Sequence, residues 1–316
     1  MRRVRSALPR LPRPVILMYH RIAEETFDPW GLAVSPANFA DQLGWLKTHR
    51  KVLPLTEFAE RHASRTLPGD AAAITFDDGY ESTATAAAPL LELHQLPATV
   101  FLPVELVEGG SPFWWDELQQ LVLGFAGASL VVGGRKLPLG KRSAADGQWR
   151  PFAGPRTRRQ AAFQRSWAIL RHMAPAELEC AMQELREQVN VAPSNECDLP
   201  MKPAQVRTIA SGRIQFGSHA LAHPSLPALS RAEKTAEIHG SIERITALTG
   251  LTPLSFAYPF GDRDEESEAI VRQAGFLCAC ATDGHAVDRR SSLFALPRLG
   301  VRNVDARRFA QEIAAA

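Results

Sequence analysis

Seven short apolar runs, each closed by polar or turn residues, constrain this chain more than any other feature. They are residues 14–20 (PVILMYH), 71–78 (AAAITFDD), 98–103 (ATVFLP), 213–219 (RIQFGSH), 254–259 (LSFAYP), 276–282 (FLCACAT) and 293–298 (LFALPR). Their lengths and their β-branched and aromatic content are those of buried strands. Helix-like segments lie between them. Ser35-Pro36 can cap and start a helix that carries Phe39, Leu43 and Leu46 on one face. Residues 84–93 and 231–248 also read as helices, the second opened by a capping box of Ser230 and Glu233. Strands alternating with helices imply a parallel sheet covered by helices, and this many strands in one chain point to a barrel.

The rhythm breaks between about residues 105 and 200. This stretch opens with Gly109-Gly110 and the cluster Phe113-Trp114-Trp115, then reads as a short hairpin (SLVVGGRKLPL). A Pro/Gly-rich stretch follows, then a helical region with Phe163, Trp167, Leu170 and Met173. The expected organisation is a basic tail over residues 1–13 and one domain over 14–316 that carries an insertion at about 105–200.

With 316 residues and 45% apolar content, the chain can bury one large core. A net charge of +2 does not point to nucleic acid. Arginines cluster at Arg2, Arg3, Arg5, Arg10 and Arg13 and again at Arg150, Arg156, Arg158 and Arg159. These clusters read as a solvated tail and a solvated helix face, with attraction to an anionic substrate or a membrane surface as the alternative. The N-terminus has no apolar h-region, and no run approaches the roughly 20 apolar residues of a membrane span. The expectation is a cytoplasmic protein without a span, with peripheral membrane contact left open. Cys180, Cys197, Cys278 and Cys280 form no CxxC pair and read as reduced, structural residues.

In a parallel α/β barrel, chemistry gathers at the C-terminal ends of the strands. Here those ends carry His20, Asp77-Asp78, His219, Tyr258-Pro259 and Arg298. Asp78-Gly79 alone is a turn signal. Two adjacent carboxylates after an apolar strand are nonetheless costly unless a cation lies between them. His219 and His223 are four apart, a spacing that lets two imidazoles meet one metal ion but that helices also produce by chance. Gly217-Ser218 before them and Pro224 after them argue against a long helix. One carboxylate and two imidazoles make an open three-ligand site for a catalytic divalent metal.

Three segments, Thr75-Phe76-Asp77-Asp78-Gly79-Tyr80, His219-Ala220-Leu221-Ala222-His223 and Tyr258-Pro259-Phe260-Gly261, together resemble the NodB-like polysaccharide deacetylase family; Leu296-Pro297-Arg298 is a less specific match. The resemblance covers residues 14–103 and about 201–304 and not the insertion. It implies a distorted (β/α)7 barrel and a metal-dependent hydrolase. The reaction would remove N-acetyl groups from an amino sugar in a polysaccharide, an oligosaccharide or a lipid- or nucleotide-linked glycan precursor. Asp77 would be the general base. Asp78, His219 and His223 would hold the metal, zinc first, with cobalt, nickel or manganese as alternatives. The backbone amide of Tyr80 would help hold the oxyanion, and Tyr258, Pro259, Phe260 and Gly261 would wall the sugar groove. Trp114 and Trp115 would stack on a sugar or lipid, or else pack the insertion onto the barrel.

The sequence departs from the family pattern in three places. Ala220 replaces a frequent serine or threonine, which removes a supporting hydrogen bond. Ala257 stands where an arginine often orients the catalytic aspartate, and Arg298 is expected to supply that charge. The usual late histidine motif is missing. Members that begin with a Met-Tyr-His strand use the early histidine as the general acid, which assigns a protonated His20. The alternatives are a deformylase or other small amide or ester hydrolase on a glycan or glycolipid, and a non-catalytic carbohydrate-binding protein.

Overall fold

The structure is a computed structural model that describes residues 12–149, 154–190, 199–210 and 213–316. The expected tail up to residue 11, Arg150 and Cys197 lie outside these residues. Among the described residues seven parallel strands form the path of a curled, distorted barrel: β1 (Val15–Tyr19), β2 (Ala71–Phe76), β3 (Ala98–Leu102), β4 (Ile214–Ser218), β5 (Ser255–Ala257), β6 (Cys278–Cys280) and β7 (Leu299–Gly300); a short eighth strand, Lys51–Val52, pairs with the start of β2 off this path. The seven follow one another around the sheet in chain order, and β7 returns to pair with β1. Leu296, just before β7, bridges to Cys280, so the final segment touches both edges of the sheet. The run at 293–298 is therefore not itself a regular strand. Pro297 has no N–H to give a ladder, and the pairing with β1 falls on Leu299 and Gly300 instead.

Side chains alternate between two environments along each strand. Val15, Leu17 and Tyr19 join Ala72, Ile74, Phe76, Val100 and Leu102 in a core beneath the helices. Ile16, Ala71, Ala73, Phe101, Ala257, Cys278 and Cys280 form a separate cluster, the barrel interior. Small residues at 71, 73 and 257 make room there for the Phe101 ring. Cys278 and Cys280 are buried as expected, but Cys180 is exposed on the helix Pro175–Val189 and takes no part in a core.

The outer helices follow their sequence signals. Ser35 caps Pro36–His49 by accepting from the Asn38 amide at 3.2 Å. Ser230 and Glu233 form the capping box of Arg231–Thr249. Among the described residues no helix is long and apolar enough to cross a membrane.

The connection from β3 to β4 holds five α-helices among the described residues and an antiparallel hairpin, Ser129–Val132 with Arg135–Pro138. It has its own core of Phe113, Leu118, Val122, Leu130, Phe163, Leu170 and Leu185. Arg159 does not belong to a solvated face. It is fully buried in this unit and donates to the carbonyls of Val122, Phe125, Gly127 and Gly140 at 2.6–3.3 Å. A guanidinium offers five donors in a fixed fork, and here it ties loops that have no strand partners.

Candidate active site

The interior-facing parity of the strands selects the site. Continuing 16–18 along β1 gives His20; 71–73–75 along β2 gives Asp77; 217 on β4 gives His219; 278–280 on β6 gives Thr282; and 296 leads to Arg298. His20, Asp77, His219 and Thr282 fall just past strand ends and Arg298 just before β7, all at one mouth of the barrel. A cavity of about 540 Å³ opens there, lined by His20, Asp77, Asp78, His219, His223 and Thr282 among others.

Asp77 is buried and clamped by Arg298, which is fully buried. The guanidinium bonds both carboxylate oxygens, Nη1 to Oδ1 at 2.6 Å and Nη2 to Oδ2 at 2.7 Å. Its Nε donates to the Ala281 carbonyl at 3.0 Å, fixing the fork between two strands. Burial alone would raise the Asp77 pKa, but Arg298, together with His219 and His20, holds it well below the usual carboxylate range. Arg298 thus stands beside Asp77, where the sequence placed its charge.

Asp78 has the opposite environment. Burial, then the charges of Asp77 and Asp116, push its carboxyl well above the usual range. Its Oδ1 lies 3.7 Å from His219 Nε2 and 3.3 Å from His223 Nε2, and the two nitrogens are 3.2 Å apart. Ligands bound tetrahedrally to one zinc ion at its usual bond lengths sit about 3.4 Å from one another. The three atoms are therefore spaced as ligands of one ion would be, and a cation there would reverse the shift on Asp78. His219 Nδ1 donates to the Ala257 carbonyl at 2.7 Å, which leaves the Nε2 lone pair facing the other ligands. Burial also pushes both imidazoles down, toward the neutral form that binds metal. The donor set fits a divalent cation.

The backbone around these groups is strained. Asp78, Ala220, His223 and Phe260 have φ between 57° and 69°, four of the seven non-glycine residues with positive φ among the described ones. Such conformations persist where the surroundings over-determine them. Next to Asp78, Gly79 is required: its φ is +69°, and a Cβ there would come within 2.6 Å of Leu102. In the histidine loop, Ser218 Oγ accepts from the Ala220 amide at 3.2 Å. Glu237 accepts from the Leu221 and Ala222 amides at 2.9 and 3.0 Å. Support of the kind Ala220 cannot give thus comes from Ser218 and from Glu237 on the helix Arg231–Thr249.

His20 lines the cavity half-buried. Burial first, then Arg298, His219 and Arg21, push its pKa down to about 4 against the pull of Asp77. Its resting form near neutrality is the uncharged imidazole, not the protonated one expected from sequence.

The cavity wall is aromatic: Trp30, Trp115, Trp167 and Phe260. Trp30 and Trp167 lie 5.2 Å apart, and Trp167 meets Phe260 edge-on at 5.8 Å. Of the expected groove residues, Phe260, Gly261 and Trp115 line this cavity. Tyr258 and Pro259 do not. Tyr258 is fully buried, and its hydroxyl donates to the Phe294 carbonyl at 3.0 Å. Trp114 faces a second cavity of about 450 Å³ behind the wall. The Tyr80 side chain turns into a buried hydrogen-bonded network with Asp116 and Trp115. Trp30, Arg21, Asp116 and Glu237 carry no motif signal, because they reach the site from segments whose approach only the fold determines.

Comparison with known proteins agrees with this geometry. The polysaccharide deacetylase family model matches residues 64–123 and 167–279, over half of the chain, and the chain belongs to that family. It is 31% identical over 106 residues to the poly-beta-1,6-N-acetyl-D-glucosamine N-deacetylase of Escherichia coli O157:H7, covering 32% of this chain and 16% of that protein. It is 32% identical over 86 residues to chitin deacetylase 1 of Cryptococcus neoformans, covering 26% of this chain and 18% of that one. The matched segments thus span less than a fifth of these curated relatives. The fold is similar to that of the Streptococcus pyogenes deacetylase PplD in complex with acetate, with a TM-score of 0.62, 16% identity and coverage of 95% of this chain and 98% of that one.

Proposed function

We propose that this protein is a metal-dependent hydrolase that removes N-acetyl groups from amino sugars in a glycan or glycan precursor. One observation carries the proposal: a carboxylate clamped by arginine, Asp77, lies beside a three-ligand cluster of Asp78, His219 and His223 on the floor of an aromatic cavity. A binding module has no use for a buried, costly array of this kind.

Asp78, His219 and His223 would hold the cation, zinc first by their nitrogen-rich donor set, with cobalt, nickel or manganese as alternatives. When bound, it supplies Lewis acidity to the acetyl oxygen and acidifies a water molecule. Asp77 accepts the proton of the attacking water. Both its oxygens are engaged by Arg298, but each keeps a lone pair. Asp77 starts ionised and His20 starts neutral, so neither holds a transferable proton beforehand. The proton that the leaving amine needs is the one Asp77 takes from the water; it passes from Asp77 to His20 at the cavity wall, which gives it to the amine. The backbone amide of Tyr80 helps hold the oxyanion. Trp30, Trp167 and Phe260 receive the apolar face of the sugar ring.

The test is acetate release from a β-linked N-acetylglucosamine oligomer by zinc-loaded protein, with Asp77→Asn as the control. Acetate from the wild type and not from the variant supports the reading. Formate released from an N-formyl sugar, without acetate from the oligomer, would move the protein to the deformylase alternative.

A further inference from the structure

His219 and His223 are held in different ways. His219 is fixed by its hydrogen bond to the Ala257 carbonyl. His223 Nδ1 is buried and has no hydrogen-bond partner from another residue. Apart from the Nε2 contacts with Asp78 and His219, its ring is held by aromatic neighbours, with Trp115 at 4.7 Å and Phe260 at 4.5 Å between centroids. Metal-binding imidazoles ordinarily owe their orientation to a polar partner on the second nitrogen. Something must replace that partner here.

The replacement is a chain of buried polar contacts that ends on the Trp115 ring. Trp115 Nε1 donates to the Tyr80 hydroxyl at 2.8 Å. That hydroxyl donates to Asp116 Oδ2 at 2.7 Å. The other oxygen of Asp116 receives Arg21 Nη2 at 3.2 Å, and the Arg21 guanidinium stacks 4.9 Å over the Tyr80 ring. All four residues are buried. They come from three parts of the chain: the residue after His20, the loop after Asp78, and the helix Trp114–Gln119 of the long connection. Each link runs one way. The carboxylate fixes the phenol, the phenol fixes the indole edge, and the indole packs against His223 at a tilt of 46°.

We propose that Arg21, Asp116, Tyr80 and Trp115 form the orienting support of His223, acting as positioning residues in place of the missing hydrogen bond. The inference rests on the metal-site reading above. It assigns the helix Trp114–Gln119 a part in metal affinity as well as in the cavity wall.

The test measures zinc affinity by competition with a chromophoric chelator, for the wild type and for Tyr80→Phe, Trp115→Phe and the double variant. Tyr80→Phe keeps the ring and removes only the hydroxyl link, and Trp115→Phe keeps an aromatic ring at that position but loses the indole N–H. Each single variant should bind zinc about 10-fold more weakly or worse, in the range typical for loss of a group that orients a ligand. The double variant should be no weaker than the weaker single one, because the links act in series. The cobalt-loaded variants should also show an altered visible spectrum, which a purely structural defect away from the ligands would leave unchanged. Far-UV circular dichroism checks that each variant is folded; if one is not, Asp116→Asn takes its place. Wild-type binding with variants within twofold of it, or losses that add, overturns the proposal alone. A wild type that binds no divalent ion overturns the metal-site reading and this proposal with it.

Discussion

Two buried arginine–carboxylate pairs, Arg298–Asp77 and Arg21–Asp116, lie on either side of Asp78, and they are built for different ends. Arg298 grips Asp77 through both oxygens, leaves no third group between them, and is itself tied to the barrel at Ala281. Arg21 meets Asp116 through one contact, and the second oxygen of that carboxylate passes on to Tyr80. The first pair fixes a carboxylate that lines the cavity. The second transmits order to an aromatic wall. Buried ion pairs are weak evidence of stability, but their geometry shows which neighbour each one positions.

The sharpest way to separate the two sides is to remove the cluster between them. Asp78→Ala or His219→Ala should abolish metal binding and acetate release together, read by metal content after dialysis and by the acetate assay. Next in size, His20→Ala should lower kcat by about 10²–10⁴ while leaving zinc affinity within twofold. Unchanged turnover would show that His20 is not the proton donor. Arg298→Ala leaves Asp77 buried and unpaired, which should cost about 3–5 kcal/mol of stability in urea unfolding. Arg298→Lys keeps the charge without the fork and should lose about 10–100-fold in kcat, with metal affinity unmoved. An equal loss in metal affinity would erase the distinction between the two pairs.

A smaller effect follows from pH. The unfolded chain takes up the His20 proton near its ordinary value of 6.5, and the folded chain only near 4. The metal-free protein should therefore keep this contribution above pH 6.5 and lose it as pH falls toward 4, by about 3 kcal/mol. Chelated His20→Asn protein should show a flatter profile in the same denaturant series. Smallest of all, Trp30→Ala should raise KM by roughly 10-fold at unchanged kcat, the loss expected for one aromatic platform. A fall in kcat instead would place Trp30 on the chemistry.

The strands and the mouth of the barrel were legible in the sequence because an interior-facing period of two carries through each strand end. His20, Asp77 and His219 all obey it, and Arg298 reaches the same mouth from just before β7. The ligand spacing at His219 and His223 was legible too, although the loop that realises it needs positive φ at Ala220 and His223, which no pattern announces. The run at 293–298 misled because its apolar residues match a strand while Pro297 breaks the ladder. Arg159 misled for a related reason: its neighbours Arg156 and Arg158 suggest a solvated face, but a guanidinium can satisfy four carbonyls at once. The Arg21–Asp116 pair spans 95 positions and was invisible because only tertiary packing joins them. The low pKa of His20 was equally hidden, since it depends on burial and on the cations that surround it.

The most direct test of the central claim is a metal titration of activity. Protein stripped with a chelator is reloaded stepwise with zinc while acetate release from an N-acetylglucosamine oligomer is followed. The stripped protein should show no activity, and activity should recover linearly and saturate at one zinc per chain. Full acetate release by metal-free protein, or none at any zinc loading, would contradict it.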